Sequence, residues 1–228
     1  MWLNEEKITD VAISSYRRSL TTSYPNHIVI DHLFDQAKLD GVLRILQEPY
    51  SWQTQKHTYS ALYVDNEEWQ KTSADQRFVQ RDAWQRNGTK TSISIAHEFL
   101  TFLRSDTFMH LLSRIFNVQI TDANVAAPEI NTNYFRLGAA DFVEQHADDS
   151  PGREVCMLLY LNKAWKKNAG GELTFIGKDN KPVRIAPIHN RCVLFDPSSE
   201  GSEHWVNRLN VKNDNEYRFN VTSWYWSE

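Results

Sequence analysis

Short runs of strand-forming residues, separated by turn signals, dominate the sequence after residue 118. The turns include Asn168-Ala169-Gly170-Gly171 and Lys178-Asp179-Asn180-Lys181, whose residue types favour chain reversal. A succession of short strands at such spacing is typical of a β-sandwich or a β-barrel. The predicted strands are 131–137, 154–161, 172–176, 183–185, 192–195, 204–206 and 217–226.

The first 117 residues carry a different pattern, in which apolar residues recur mainly at helical spacing. We therefore expect a mainly β protein with flanking helices, of the α+β class, whose N-terminal helices pack on one sheet. The predicted elements are a helix over 5–20, a strand over 27–31, a helix that Asp35 caps and that ends near Pro49, a strand over 59–64 and two helices within 94–117.

The segment 65–92 is polar, highly charged and without a clear apolar period. Because long loops in compact domains are often functional or mobile, one hypothesis makes this segment a substrate lid. The alternative is a solvated surface excursion with a short helix near Phe78–Trp84. The sequence does not separate the two.

Length and composition restrict the class of protein. With 228 residues, 41% hydrophobic and 24% charged, the chain suits one domain over 1–228, in which 1–117 support a barrel over 118–228. The net charge of -4 gives no electrostatic reason to expect a nucleic-acid partner.

Cys156 and Cys192 have no disulfide-type or redox-type spacing, and we expect both to be buried in strands. With no signal-like N-terminus and no long apolar run, a cytoplasmic location without a membrane segment is expected, and the oligomeric state stays open.

The pair His146 and Asp148 is the first candidate for chemistry. Residues two apart in a strand point to the same side, so an imidazole and a carboxylate at this spacing can hold one ion. Two histidines and one carboxylate with open positions form the site of non-haem Fe(II) oxygenases. The second histidine must come from elsewhere, and His204 stands out because it opens a strand shortly before Arg218, whose planar guanidinium can bind a carboxylate. The other histidines are His27, His32, His57, His97, His110 and His189, and we expect His189, in a turn, to lie at the surface.

From Asn133 to Trp226 the sequence resembles the prolyl 4-hydroxylase superfamily of Fe(II)/2-oxoglutarate dioxygenases. The resemblance is greatest to the branch with the hypoxia-sensing and ribosomal-protein prolyl hydroxylases. It rests on an ordered set of pieces: His146-Ala147-Asp148, Arg153 leading to Tyr160-Leu161-Asn162 and Trp165, Gly170-Gly171-Glu172-Leu173, His204-Trp205-Val206, and Arg218 through Thr222 to Trp224.

The resemblance implies a double-stranded β-helix, a jelly-roll fold of the cupin-like kind, around one site. It implies His146, Asp148 and His204 as ligands of Fe(II), with no catalytic residue beyond them. It places Arg218, Tyr160, Tyr134 and Thr222 near the cosubstrate 2-oxoglutarate, although Tyr134 lies further from His146 than in the family. Arg153 and Trp224 match positions that face the substrate.

The activity that the resemblance implies is a dioxygenase reaction, in which 2-oxoglutarate and O₂ yield succinate and CO₂ while an unactivated C–H is hydroxylated. Ascorbate is a candidate reductant. The expected substrate is a prolyl residue in a protein or peptide, and the alternative is a free or carrier-bound amino acid. A hypothesis of another class is a metal-binding or catalytically silent barrel protein that does not use 2-oxoglutarate.

Overall fold

The computed structural model of the protein describes residues 1–86, 94–211 and 216–227. Its α-helices are α1 (Asp10–Thr22), α2 (Gln36–Leu46), α3 (Asn66–Lys71), α4 (Ile95–Leu103) and α5 (Asp106–Phe116). As predicted, Asp35 caps α2, because its carboxylate accepts a hydrogen bond from the Lys38 amide at 2.8 Å. None of the described helices has the length and apolar character that a membrane crossing requires.

The strands join one antiparallel sheet in the described part of the chain. They are β1 (His27–Asp31), β2 (Trp52–Thr58), β3 (Arg77–Trp84), β4 (Thr132–Leu137), β5 (Phe142–His146), β6 (Arg153–Tyr160), β7 (Leu173–Phe175), β8 (Val183–Ile185), β9 (Arg191–Phe195), β10 (His204–Val206) and β11 (Arg218–Trp226). Their order in space is β1-β9-β6-β11-β4-β3-β5-β10-β7-β8, and β2 pairs with β3. The sheet curls, as in a jelly roll, so that strands far apart in sequence line one interior.

The two faces of the sheet have different partners, as β6 illustrates. Val155, Met157 and Leu159 join the large apolar cluster that α1, α2, α4 and α5 build on one face. The alternate residues Cys156, Leu158 and Tyr160 join a second cluster in the interior of the curled sheet. This separation of faces confirms the predicted α+β class with a double-stranded β-helix core and helices packed on one sheet.

Both cysteines are free, fully buried and located in strands, as expected. Cys156 lies on the interior face, and Cys192 lies on the helix face. Burial raises the pKa of both thiols, and the nearby Asp148 carboxylate raises that of Cys156 further. They behave as small apolar residues of the core.

The prediction for the middle of segment 65–92 was wrong. Arg77–Trp84 form neither loop nor helix but strand β3, which pairs with β2, β4 and β5. The prediction of a strand over 59–64 was also wrong, because these residues form the connection between β2 and α3. Residues 87–92 of the proposed lid lie outside the described residues. Because β1, β2 and β3 precede residue 118, the N-terminal part supplies strands as well as support, while a single domain over 1–228 stays a prediction.

Candidate metal and cosubstrate site

Three side chains of metal-ligand type converge where β5 and β10 meet. His146 ends β5 and lies directly opposite His204, the first residue of β10, while Asp148 follows β5 by two residues. The Nε2 atom of His146 lies 3.7 Å from Asp148 Oδ1, and the Nε2 atom of His204 lies 3.7 Å from Asp148 Oδ2. One ligand atom from each residue lies within 4.8 Å of the other two, so the three can hold a single ion.

Backbone carbonyls fix the orientation of the two histidine rings. His146 Nδ1 lies 2.8 Å from the Glu144 carbonyl, and His204 Nδ1 lies 2.9 Å from the Ser202 carbonyl. Because a carbonyl only accepts, each Nδ1 donates this hydrogen bond, and Nε2 is the ring nitrogen that is left for a metal. Burial lowers the pKa of His204 to about 4, so this imidazole is neutral at physiological pH.

Asp148 is held from two directions. The Trp224 indole Nε1 donates to its Oδ2 at 3.0 Å, and the Arg153 guanidinium donates to its backbone carbonyl. Burial raises the pKa of Asp148, but His146, His204, Trp224 and Arg153 together lower it below its ordinary value. The carboxylate is therefore ionised at neutral pH, as metal binding requires.

A narrow inner cavity continues from the triad into the barrel, lined in part by Arg218, Asn220 and Thr222 of β11. Arg218 is 1% exposed, and its guanidinium donates to the Gly171 carbonyl at 2.7 Å and to Asn220 Oδ1 at 2.8 Å. Its Nη2 atom has no hydrogen-bond partner among the described residues. An unpaired donor on a buried guanidinium is costly, which indicates that a ligand completes the set.

Tyr160 provides a second unused donor beside Arg218. The Arg218 guanidinium carbon lies 4.9 Å from the centre of the Tyr160 ring, and the Tyr160 hydroxyl likewise lacks a partner in the described part of the chain. Burial raises the pKa of Tyr160 although Arg218 opposes the shift, so the hydroxyl is protonated at neutral pH. Two adjacent donors, one of them cationic, suit a carboxylate. Thr222 lines the same cavity and accepts a hydrogen bond from Asn220 at 2.9 Å.

Gly171 leaves the space that the Arg218 side chain occupies, and its neighbour Gly170 lies against the Arg208 backbone. Gly171 has a φ of +76°, and a Cβ there would lie 2.9 Å from Arg218 Cδ. At Gly170, with a φ of +74°, a Cβ would lie 2.0 Å from the Arg208 carbonyl oxygen. Only glycine meets both the backbone conformation and the close approach.

The structure does not bring Tyr134 to this site, which corrects the sequence-based assignment. Tyr134 is fully buried on the helix face of β4, and its hydroxyl donates to the Ala96 carbonyl of α4 at 2.8 Å. The reason is that side chains alternate along a strand. Leu137 lines the inner cavity, so Tyr134, three residues earlier in β4, faces the helices. Tyr134 is therefore a core residue that anchors α4.

An outer cleft of about 550 Å³ opens from the triad to solvent. Arg153 and Trp224 line this cleft, and their contact with substrate stays a prediction. Both the cleft and the inner cavity include His146, Asp148 and Arg81. Its rim carries exposed aromatic and aliphatic side chains, Tyr59, Leu62 and Tyr63. A cleft of about 700 Å³ beside α2 shares no lining residue with the site and carries none of the triad.

Arg81 and His57 are the site residues that sequence reasoning missed. Both line the outer cleft, His57 from β2 and Arg81 from β3. The available signal was alternation within 77–84: once Val79 faces the interior, Arg81 must face it too. That signal required the strand to be recognised first.

Comparisons with known proteins agree with this geometry. Residues 132–226 match the model of a family described as the 2OG-Fe(II) oxygenase superfamily. The matched region contains the three metal-ligand candidates together with Arg218, Tyr160 and Thr222. A sequence comparison with curated proteins gave no significant match.

Solved structures of similar fold cover nearly the whole chain. A prolyl-4-hydroxylase from Pseudomonas putida has a TM-score of 0.62 at 15% identity, covering 95% of this chain and 99% of its own. A Trichoplax adhaerens prolyl hydroxylase, in complex with a hypoxia inducible factor peptide fragment, has a TM-score of 0.62 at 19% identity, covering 98% and 96%. The non-heme alpha ketoglutarate dependent epimerase SnoN from nogalamycin biosynthesis has a TM-score of 0.59 at 9% identity, covering 96% and 82%.

At these identities the structural likeness establishes the fold, and the family model establishes the signature within it. The His-Asp-His cluster lies inside that signature. Residues 132–226 of the chain therefore carry the signature of the 2OG-Fe(II) oxygenase superfamily.

Proposed function

We propose that this protein is a hydroxylase that uses Fe(II), 2-oxoglutarate and O₂ to oxidise an unactivated C–H bond, with a prolyl residue of a protein or peptide as substrate. The observation that carries the proposal is a metal-ligand triad that shares one cavity with the unused buried donor of Arg218, beside which lies the unpaired hydroxyl of Tyr160. A barrel that only bound a metal would have no need for the donors of Arg218 and Tyr160. The silent-barrel alternative is therefore the weaker one.

The residues fit the groups that the family uses. His146, Asp148 and His204 offer two imidazole nitrogens and one carboxylate, a donor set that suits Fe(II) and leaves positions open. Bound Fe(II) supplies the activation of O₂ that couples decarboxylation of 2-oxoglutarate to hydroxylation. Arg218 and Tyr160 bind the distal carboxylate of 2-oxoglutarate, and Thr222 lines the same cavity.

The chain's own residues prepare the site before the cosubstrate arrives. Trp224 and Arg153 fix the carboxylate and backbone of Asp148, so that little reorganisation is needed when the metal binds. The carbonyls of Glu144 and Ser202 fix the two histidine rings. The apolar interior around Leu137, Val143 and Leu158 excludes bulk water from the inner cavity.

The substrate part of the proposal rests on the outer cleft. Its open mouth and its apolar rim, where Tyr59 is 54% exposed and Tyr63 is 67% exposed, suit an extended peptide. Prolyl hydroxylases among the structural neighbours support the same substrate, and an epimerase among them shows that the fold alone does not fix the reaction. The second candidate is a free or carrier-bound amino acid, and the unpaired Nε of Arg81 in the cleft favours the free amino acid, which carries a carboxylate.

Succinate formation tests the proposed activity. Purified protein supplied with Fe(II), 2-oxoglutarate and O₂, with or without ascorbate, should form succinate, and proline-containing peptides should stimulate it. The peptide product should gain one oxygen from ¹⁸O₂ at proline, and a peptide with alanine in that place should gain none. A His204→Ala variant provides the inactive control, because it removes one of the three ligands. Succinate formation that is equal in both proteins would refute the proposal.

A further inference from the structure

The charged side chain of Arg81 lies at the junction of the inner cavity and the outer cleft, and it forms no ion pair with the described residues. It lines both, and its guanidinium carbon lies 3.5 Å from the centre of the Phe135 ring. Within the described residues its Nε is buried without a hydrogen-bond partner, and no carboxylate lies in ion-pair distance. Burial lowers the pKa of Arg81 to about 10, which leaves it charged at neutral pH. A partly buried charge without acceptors is unfavourable unless a ligand supplies them.

His57 presents a buried ring nitrogen without a hydrogen-bond partner to the same cleft. His57 is 6% exposed, and its buried Nε2 has no partner in the described part of the chain. It lies opposite Val79 in the β2–β3 ladder, so Arg81, two residues further along β3, is its diagonal neighbour on the same face. Tyr63 and Phe78 hold the ring, at centroid distances of 4.7 and 5.8 Å. Because burial lowers the pKa of His57 to about 4, the imidazole is neutral and offers one N–H donor at neutral pH.

The charges of the site leave room for one more anion. Among the described residues that line the inner cavity and the outer cleft, the charged ones are Arg81, Arg153 and Arg218 against Asp148. A divalent metal and the dianion of 2-oxoglutarate balance each other, so these three arginines and one aspartate leave a net charge of +2 in the loaded site. Arg153 already faces Asp148, with its Nη1 3.9 Å from Oδ1, and Arg218 takes the cosubstrate carboxylate. Arg81 therefore remains uncompensated in the loaded site.

We propose that Arg81, with His57, binds a free carboxylate of the primary substrate close to the carbon that is oxidised. The substrate is then an amino acid, or a peptide oxidised at its C-terminal residue. This inference rests on the proposed function and narrows it, since an internal prolyl residue and a carrier-bound aminoacyl thioester both lack that carboxylate. Arg81 can give two parallel hydrogen bonds to such a group, which a lysine cannot.

Matched acids and amides test this inference. The iron-loaded enzyme, with 2-oxoglutarate and O₂, is offered L-proline and the other L-amino acids beside their carboxamides. It is also offered N-acetylated peptides that end in proline, as free acid and as amide. Oxygen incorporation and KM are measured for each. We expect only the free acids to be efficient substrates, and the amino-acid and peptide arms then show which source supplies the carboxylate.

The Arg81→Gln variant should raise the KM of the best acid by about tenfold to a hundredfold, because it removes a charge-assisted bidentate contact. The affinity for 2-oxoglutarate should change much less than this KM, because Arg218 still anchors the cosubstrate, and retained 2-oxoglutarate binding also shows that the variant is folded. Arg81→Lys should give an intermediate KM, and His57→Asn a smaller rise than Arg81→Gln. Arg184→Gln is the control, since it removes the same charge from an exposed position of strand β8.

Three results would overturn the inference: amides that are oxidised as well as acids, a panel in which no acid is oxidised, or an Arg81→Gln variant that loses 2-oxoglutarate affinity instead. Failure of the proposed function would look different, because the wild-type protein would then neither bind 2-oxoglutarate nor form succinate.

Discussion

Trp224→Phe should weaken metal binding without disturbing the fold. The indole Nε1 of Trp224 donates to Asp148 Oδ2 at 3.0 Å, and the same oxygen lies 3.7 Å from His204 Nε2. Phenylalanine keeps an aromatic ring in the wall of the cleft but removes this donor. The carboxylate then loses a contact that fixes its orientation toward the metal.

The size of the effect follows from the charge of the acceptor. A hydrogen bond to an ionised group contributes about 1.5–3 kcal/mol, and about 1.4 kcal/mol changes an affinity tenfold. Arg153 still lies 3.9 Å from Asp148 Oδ1 and holds the backbone carbonyl, so part of the orientation survives. We therefore expect the Kd for Fe(II) to rise by about tenfold to a hundredfold, the range typical of residues that support metal ligands.

Anaerobic calorimetric titration of the metal-free protein with Fe(II) measures this change. Trp226→Phe is the matched control, because Trp226 lies two residues further along β11 and its indole donates no hydrogen bond within the described residues. The control should bind Fe(II) as the wild type does. Wild-type affinity in Trp224→Phe, or an equal loss in both variants, would refute the assigned role of the indole.

Four further predictions concern the surroundings of the triad. Arg218→Ala should weaken 2-oxoglutarate binding by about a hundredfold or more while Fe(II) affinity is retained, and equal losses in the two titrations would contradict its anchoring role. Gly171→Ala should also weaken 2-oxoglutarate binding, because the new Cβ lies 2.9 Å from Arg218 Cδ; an unchanged Kd would show that this contact relaxes freely. Tyr134→Phe should leave the Kd for 2-oxoglutarate unchanged and lower the free energy of unfolding by about 1 kcal/mol, since its hydroxyl only binds Ala96; a large change in that Kd would restore the cosubstrate role. The metal-free protein should lose stability as pH falls from 6.5 towards 4, because His57 and His204, whose folded pKa is about 4, take up protons on unfolding. The loss is on the order of 3 kcal/mol per histidine at most, and urea unfolding curves that are flat across this range would contradict it.

The elements that sequence predicted well are those whose two faces differ in polarity. Strand β11 places Arg218, Asn220, Thr222 and Trp224 in the site and the residues between them against the helices. Its ends, and those of the neighbouring β4 and β6, agree with the predicted ones to within about two residues, an ordinary margin for such boundaries. The triad could also be placed, because each of its members lies in a local motif.

Strand β3 was missed because its residues do not alternate between apolar and polar. Its interior face carries Arg81 where a core strand would carry an aliphatic residue, since that position lines the outer cleft. The usual alternation of apolar and polar residues is therefore absent from Arg77–Trp84, and a charged segment resembles a loop. His57 was missed in the same way, because it is a polar residue on the face of β2 that lines the outer cleft.

Two other misses arose from long-range contacts. Tyr134 has the residue type of a cosubstrate ligand, but its register in β4 turns it to α4. His189 was expected at the surface and is 8% exposed, because the turn around Asn190 is covered by the chain that follows β1. The Asn190 side chain donates to the Phe34 carbonyl at 2.7 Å and accepts from the Phe34 amide, contacts across 156 positions that no local pattern signals.

The central claim is that His146, Asp148, His204 and Arg218 form one site for Fe(II) and 2-oxoglutarate. The most direct test is an anaerobic titration of the iron-loaded protein with 2-oxoglutarate, followed by visible absorption. We predict a metal-to-ligand charge-transfer band that saturates at one cosubstrate per chain, and that does not form in His204→Ala. An iron-loaded wild-type protein that develops no such band would contradict the claim.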